Sequence, residues 1–161
     1  MKTIINKLPI ILILFVFQFC KSQNKERYVN DYNKAVPKLQ QVATSKQKYY
    51  GKDFSEFMSQ LESNGVKIKS FFYKEKGLSP KINMIILEFV DSDDFGIDDN
   101  YQHPRILITF QEQIPDEIRQ LTLKSHGELT QEVKDFLADR KIENIVFYGI
   151  NGLTSKDRSA R

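Results

Sequence analysis

Apolar positions recur along this chain at two different spacings, and the switches between them mark out the elements. From Asn24 to about Tyr50, Tyr28, Val29, Tyr32, Val36, Leu39, Val42 and Ala43 are separated by threes and fours among Lys, Gln and Asn, which predicts one amphipathic helical face. Pro37 falls inside it. Lacking an amide proton and colliding with the preceding turn, it is expected to bend this helix or to open a second one. The next helix is predicted over Asp53 to Gly65, with Asp53 as N-cap and Glu56 completing a capping box. Phe54, Phe57, Met58 and Leu61 form its buried face, and Gly65 after Asn64 is its stop.

The period then shortens to two. Val66 to Lys74 alternates Val66 and Ile68 with Lys67 and Lys69, and Arg105 to Glu112 alternates around Ile106, Ile108 and Phe110. Between them Ile82 to Val90 is apolar on both faces apart from Asn83 and Glu88, the pattern of an interior strand. Gly77 and Pro80 in the Glu75 to Lys81 connection suit a hairpin loop, so the first two strands are expected to pair antiparallel.

Ile114-Pro115-Asp116-Glu117 reads as a helix start, with Pro near the first turn and acids at the positive end of the dipole. This helix is expected to cover Ile118 and Leu121, with Leu123 left open. After a polar break at Lys124 to Glu128, a second helix is predicted from about Thr130 to Arg140 on Val133, Phe136 and Leu137. A last strand follows over Asn144 to Ile150, ended by Asn151-Gly152. Thr154 to Arg161 holds no large apolar residue and reads as a loose tail, 154–161. The order describes a single α+β domain, 24–153, with a four-stranded, mainly antiparallel sheet and helices packed on one face behind an N-terminal helical segment.

Residues 1–23 do not belong to that pattern. Lys2 and Lys7 precede an apolar stretch, Leu8 to Cys20, broken only by Pro9 and Gln18, and Lys21-Ser22-Gln23 turns polar. This is the layout of a secretory signal peptide. Thirteen residues reach only about 20 Å as a helix against roughly 30 Å of bilayer hydrocarbon, so no stable membrane span is expected. Cys20 and Ser22 supply small residues at the cleavage positions and place the cut before Gln23, while a cut one residue later fits nearly as well. An alternative makes Cys20 the lipid-bearing first residue of an envelope lipoprotein. Phe19 and Gln18 stand where such signals want small residues.

Composition narrows the chemistry. The chain has 161 residues, 40% apolar and 28% charged, average for one globular domain. Three of the 24 Lys and Arg residues lie in 1–23, which hold no acid, so from Asn24 onward 21 bases face 21 acids. A globally basic nucleic-acid binder is not indicated. Cys20 is the sole cysteine, which removes disulfides, thiol catalysis, thiolate zinc sites and iron–sulfur ligation from the domain. The balance is uneven along the chain: residues 24–81 carry 12 bases and 6 acids, and 82–161 carry 9 bases and 15 acids. The two parts are expected to neutralise each other in the fold, with a surviving charged face as the alternative.

Five of those acids, Asp91, Asp93, Asp94, Asp98 and Asp99, fall in nine positions between the second and third strands, a calcium-like ligand density. Read as an EF-hand loop from Asp91, the segment has Phe95 at position 5 and Gln102 at position 12, and it fails the motif. A solvated acidic loop is the plainer meaning. His103 and His126 are the two imidazoles available for proton transfer or ligation. Ser125 directly before His126 does not make a triad, which is a spatial arrangement. Gly-rich phosphate loops are absent, and no cofactor is implied. Lys67, Lys69, Lys74, Lys76 and Lys81 interleave with Phe71, Phe72 and Tyr73. That combination can stack single-stranded bases, but on an exported chain it reads as core plus a lysine-protected edge.

By elimination these features point to an exported small binding module of the inhibitor, immunity or periplasmic accessory kind, acting on a protein partner through a surface and the Asp-rich loop. The alternative is a small hydrolase-like or ligand-binding domain using His103 or His126 with nearby acids. It requires one of them in a concave pocket beside a carboxylate, where a binding module shows an exposed patch.

Overall fold

The structure, a computed structural model, describes residues 8–75, 81–91 and 100–161, with side chains from Asn24 onward. The first element, α1 (Leu8–Ala43), is one helix with Pro37 inside it. No second helix opens at the proline. Its ring is exposed, and Val36 and Leu39 beside it are buried and keep both halves of the helix on the same surface. Among the described residues no helix is long and apolar enough to cross a membrane. A short 3-10 helix, Lys46–Tyr49, leads to α2 (Phe54–Ser63).

The four residues expected on the buried face of α2, Phe54, Phe57, Met58 and Leu61, are all buried. Its capping is not the box that the sequence suggests. Asp53 makes no side-chain cap; the amides of Phe54 and Ser55 instead donate to the carbonyls of Arg140 and Ala138 at 2.9 and 3.0 Å. Backbone from the other end of the domain thus fills the cap, and the Asp53 carboxylate turns to Lys141 Nζ at 2.9 Å. Gly65 does end the helix, at φ +64°. Val66 then gives its amide to the Leu61 carbonyl, so it still belongs to the helix end. The first strand, β1 (Ser70–Glu75), starts four residues later than the alternation from Val66 implies.

The remaining elements are β2 (Ile82–Glu88), β3 (Arg105–Ile114), α3 (Glu117–Lys124), α4 (Gln131–Leu137) and β4 (Ile142–Tyr148). The strands form one antiparallel sheet in the order β1-β2-β3-β4, and the molecule is an α+β domain as the pattern requires. Leu123, left open by the periodicity, is 69% exposed and adds nothing to the core.

Register sorts the strand residues into two faces. Phe71, Leu87, Ile106 and Phe147 are cross-strand neighbours in one row, and Tyr73, Ile85, Ile108 and Ile145 in the next. All but Tyr73 in these two rows are fully buried. Together with Tyr28, Tyr32, Leu39 and Val42 of α1 and the apolar face of α2 they make one core. Phe54 meets Phe110 edge to face at 5.7 Å across it.

The last eight residues, expected as a loose tail, are hydrogen-bonded to the domain. Arg161 exchanges both backbone bonds with Phe147 at 2.8 and 2.9 Å, and the buried Gln102 donates from Nε2 to the carbonyls of Ser155 and Asp157 at 2.7 and 2.6 Å. A segment without large apolar side chains is held here through its backbone, which hydropathy does not register.

Candidate functional site

Between the register shifts, which leave Ile82 and Ile142 in the core, even-numbered positions of β1, β2 and β4 and odd ones of β3 point away from the core. Their register gives three more rows. Phe72, Ile86, Leu107 and Val146 run across all four strands; Ser70, Glu88, Arg105 and Tyr148 flank them on one side, and Lys74, Met84, Thr109 and Asn144 on the other. Residues of these rows are half-buried or exposed, Phe72 most among the apolar ones at 44%. Scattered surface apolar residues need no explanation, but one unbroken apolar row across a sheet is a patch.

The edges of the sheet are covered at particular positions while this face is open. On β4, Phe147 is paired with Arg161, and the Ile145 carbonyl accepts from Lys46 Nζ at 2.9 Å, where burial lowers the lysine's proton affinity. On β1, the Phe71 amide donates to the Gly127 carbonyl at 2.7 Å. Strand addition at these positions has no free backbone to use.

A cleft of about 490 Å³ continues the Glu88, Arg105 and Tyr148 row beyond the strand ends, and Gln102, His103, Gly149 and Arg158 complete its lining. The Arg105 guanidinium lies 5.5 Å from the Tyr148 ring centre. His103 is the predicted site residue that lines a concavity, and Glu88 lines the same cleft. Its Nδ1 is 2.9 Å from the Tyr28 hydroxyl, which donates to the Gln102 carbonyl at 2.8 Å. Because the single phenolic proton is used there, Nδ1 carries a hydrogen and the hydroxyl accepts it, which fixes the tautomer and ring of His103. The Gln102 amide is assigned in the same way. Two carbonyls take its NH₂ group, so Oε1 points elsewhere, and among the described residues this buried acceptor has no partner. The cleft offers guanidinium, imidazole and phenol donors together with a carboxylate, and the described residues that line it include no serine or threonine.

The other predicted residues do not converge on it. His126 is exposed, at φ +52°, in the turn that sets Gly127 against β1. Ser125 Oγ donates to the Thr122 carbonyl at 3.3 Å and makes no pair with His126. Of the acidic run, Asp91 is exposed and ion-paired, 3.6 Å from Lys69 Nζ and 3.9 Å from Arg27. Lys69 also meets Asp31 at 3.1 Å, and Asp31 first, then Asp91, hold its ammonium above the ordinary lysine range. Asp93, Asp94, Asp98 and Asp99 lie outside the described residues, as do the side chains of Cys20, Ser22 and Gln23. Among the described residues no cluster of His, Cys, Asp or Glu has the makings of a metal site.

The open face was not singled out from sequence. Its signal was present in Met84 and Ile86, the outward residues that made the second strand look apolar on both sides, but the row they belong to exists only once the register is known. Compared with known proteins, the chain matches no family model, and no curated protein or solved structure is similar enough to it to count as a match.

Proposed function

We propose that this chain is an exported binding module that engages a protein through the open face of its sheet. The observation that carries the reading is the Phe72, Ile86, Leu107 and Val146 row. It is long enough to form the apolar centre of an interface, and Glu88, Arg105, Lys74 and Asn144 around it supply a polar rim. The covered edge positions on β4 favour contact through the face. Export rests on the 1–23 leader. The mass of the chain recovered from cells reads it directly, with an N-terminus at Gln23 or Asn24 expected and an acylated Cys20 marking the lipoprotein alternative.

A photoreactive phenylalanine analogue in place of Leu107 tests the face. Discrete cross-linked products are expected from that position and none from the same analogue in place of Glu132, which is exposed on α4. Equal products from both sites, or none from the face, overturn the reading.

A second reading is supported by His103 lying with Glu88 in the cleft, the arrangement a small ligand-binding or hydrolase-like domain requires. The His103 ring resonance, followed by NMR while small carboxylate and phosphate compounds are added, shifts if the cleft takes such a ligand. It stays fixed if the cleft does not.

A further inference from the structure

We infer that the groove between α1 and the segment leading into β1 is a binding site for a ligand that carries a phosphomonoester or a short chain of phosphates. The groove encloses about 410 Å³, and Lys34, Lys38, Lys67 and Lys69 line it together with a single carboxylate, Asp31. It shares no residue with the open face or with the His103 cleft, so it stands apart from the readings of both. Two periodicities build it. Asp31, Lys34 and Lys38 follow one another at spacings of three and four and lie on one stripe of α1. Lys67 and Lys69, two apart, reach the groove from the opposite wall.

Drawing four ammonium groups into one concavity works against folding, since Lys34 and Lys38 are a like-charge pair one helical turn apart. The fold compensates only part of the charge. Lys69 Nζ meets Asp31 at 3.1 Å and Asp91 at 3.6 Å. Lys38 Nζ donates to the Gly65 carbonyl at 2.7 Å, which leaves it further hydrogens to offer. The side chains of Lys34 and Lys67 have neither an ion pair nor a hydrogen bond among the described residues. Here the surplus of bases in residues 24–81, 12 against 6 acids, stays at the surface. Buried Val66 and Phe89 stand behind the lysines, and apolar walls concentrate the field of a cleft lined by one sign of charge.

The chemistry selects the anion. Lysine is a point charge without the planar fork by which arginine grips one carboxylate, and ammonium groups arriving from two walls suit a charge spread over several oxygens. A phosphomonoester carries roughly −1.5 to −2 at neutral pH on three acceptor oxygens, whereas a carboxylate has one charge to divide among them. Small-ligand sites enclose roughly 300–1,000 Å³, and a concavity of that scale favours a phosphorylated small molecule or headgroup over a flat acidic protein surface.

Titration calorimetry of the chain as recovered from cells with inorganic tripolyphosphate is expected to show saturable binding that weakens as salt is added. In NMR the amides of Gly65, Val66 and Lys67 are expected to shift with it, and those of Ile106 and Ile108 to stay in place. Lys34→Gln together with Lys67→Gln alters two exposed side chains and is expected to raise the Kd about tenfold or more. Lys48→Gln together with Lys52→Gln, two exposed lysines outside the groove, makes the same change in net charge and is expected to leave it within about twofold. Cosedimentation with phosphatidylcholine vesicles, with and without phosphatidic acid, separates the sources of the phosphate. Capture by phosphatidic acid that tripolyphosphate reverses supports a lipid headgroup as the ligand, and tripolyphosphate binding without capture supports a soluble one. Failure of both probes to bind, or no difference between the two double variants, overturns the inference. Polyglutamate binding as tightly as tripolyphosphate also overturns it, in favour of an acidic protein segment.

Discussion

Gly149 and His103 lie backbone against backbone, so close that a Cβ on residue 149 would be driven into the His103 carbonyl group and would sit 2.9 Å from the nitrogen of Pro104. Gly149 also has φ +70°, which side chains rarely adopt. It follows Tyr148 at the end of β4, and its carbonyl accepts from the Tyr32 hydroxyl at 2.9 Å. Substitution therefore opens the floor of the cleft and the α1 contact together. Gly149→Ala is expected to cost about 2–4 kcal/mol, the sum of left-handed strain and a backbone clash that cannot relax cheaply. Urea unfolding measures this; a loss under 1 kcal/mol would mean that the strand end moves freely.

Two phenols of α1 tie the helix to both sides of that contact, Tyr32 to Gly149 and Tyr28 to Gln102 and His103, and their titration gives the fold an alkaline limit. Burial pushes both Tyr28 and Tyr32 above the ordinary tyrosine range, and for Tyr28 the neighbouring Tyr32 and Glu88 add to it. A proton held more tightly in the fold than in the unfolded chain, where it leaves near pH 10, stabilises fully below that pH. The contribution is lost as the pH climbs from about 10 toward the folded values. The Tyr28→Phe, Tyr32→Phe chain should be less stable at neutral pH, by about 1–2 kcal/mol for the Tyr28 hydroxyl alone because it leaves the Gln102 carbonyl without its donor. Its stability should also fall less steeply above pH 10 than that of the unaltered chain. Equal slopes in urea titrations across that range would show that other groups set the limit.

Elements whose residues alternate or repeat regularly were readable in the sequence because burial imposes the period. Phe54, Phe57, Met58 and Leu61 are buried on α2, and of the adjacent Phe71 and Phe72 one is fully buried and the other 44% exposed. What escaped was set by partners distant in sequence. The amides opening α2 are taken by residues more than eighty positions away, and the polar tail is fixed by Gln102 and Phe147. Of the site, His103 was recognisable as a candidate because imidazoles are few. Arg105 and Glu88 carried no mark in sequence, and only the strand register makes them neighbours on one row.

Gln102 is the single buried polar residue among those described, 1% exposed, and its carboxamide holds the C-terminal segment by two bonds while its backbone amide donates to Leu153 at 2.7 Å. Gln102→Leu keeps the volume and removes the side-chain donors. Faster amide exchange is expected in residues 155–161 and at Phe147, whose amide donates to Arg161, while the Ile106 and Ile108 amides in the central strand remain protected. Unchanged exchange at Phe147 would show that the tail docks through its pairing with β4 alone.

Asp53 offers the sharpest contrast between a motif and its use. The sequence places it as an N-cap, but Arg140 and Ala138 accept from the first two amides of α2 and the Asp53 carboxylate is engaged with Lys141, whose ammonium it holds above the ordinary lysine range. Removing a working N-cap costs roughly 0.5–2 kcal/mol, and the hydrogen-bond part of that cost remains when charges are screened, whereas an exposed ion pair is weak and screened. Asp53→Ala should therefore lose less stability than a cap would, and the loss should vanish in high salt. Combined with Lys141→Ala it should add nothing further, since either substitution already removes the pair. A cap-sized loss that persists in salt and adds to that of Lys141→Ala would restore the capping box, and the carbonyls of Ala138 and Arg140 would then be secondary.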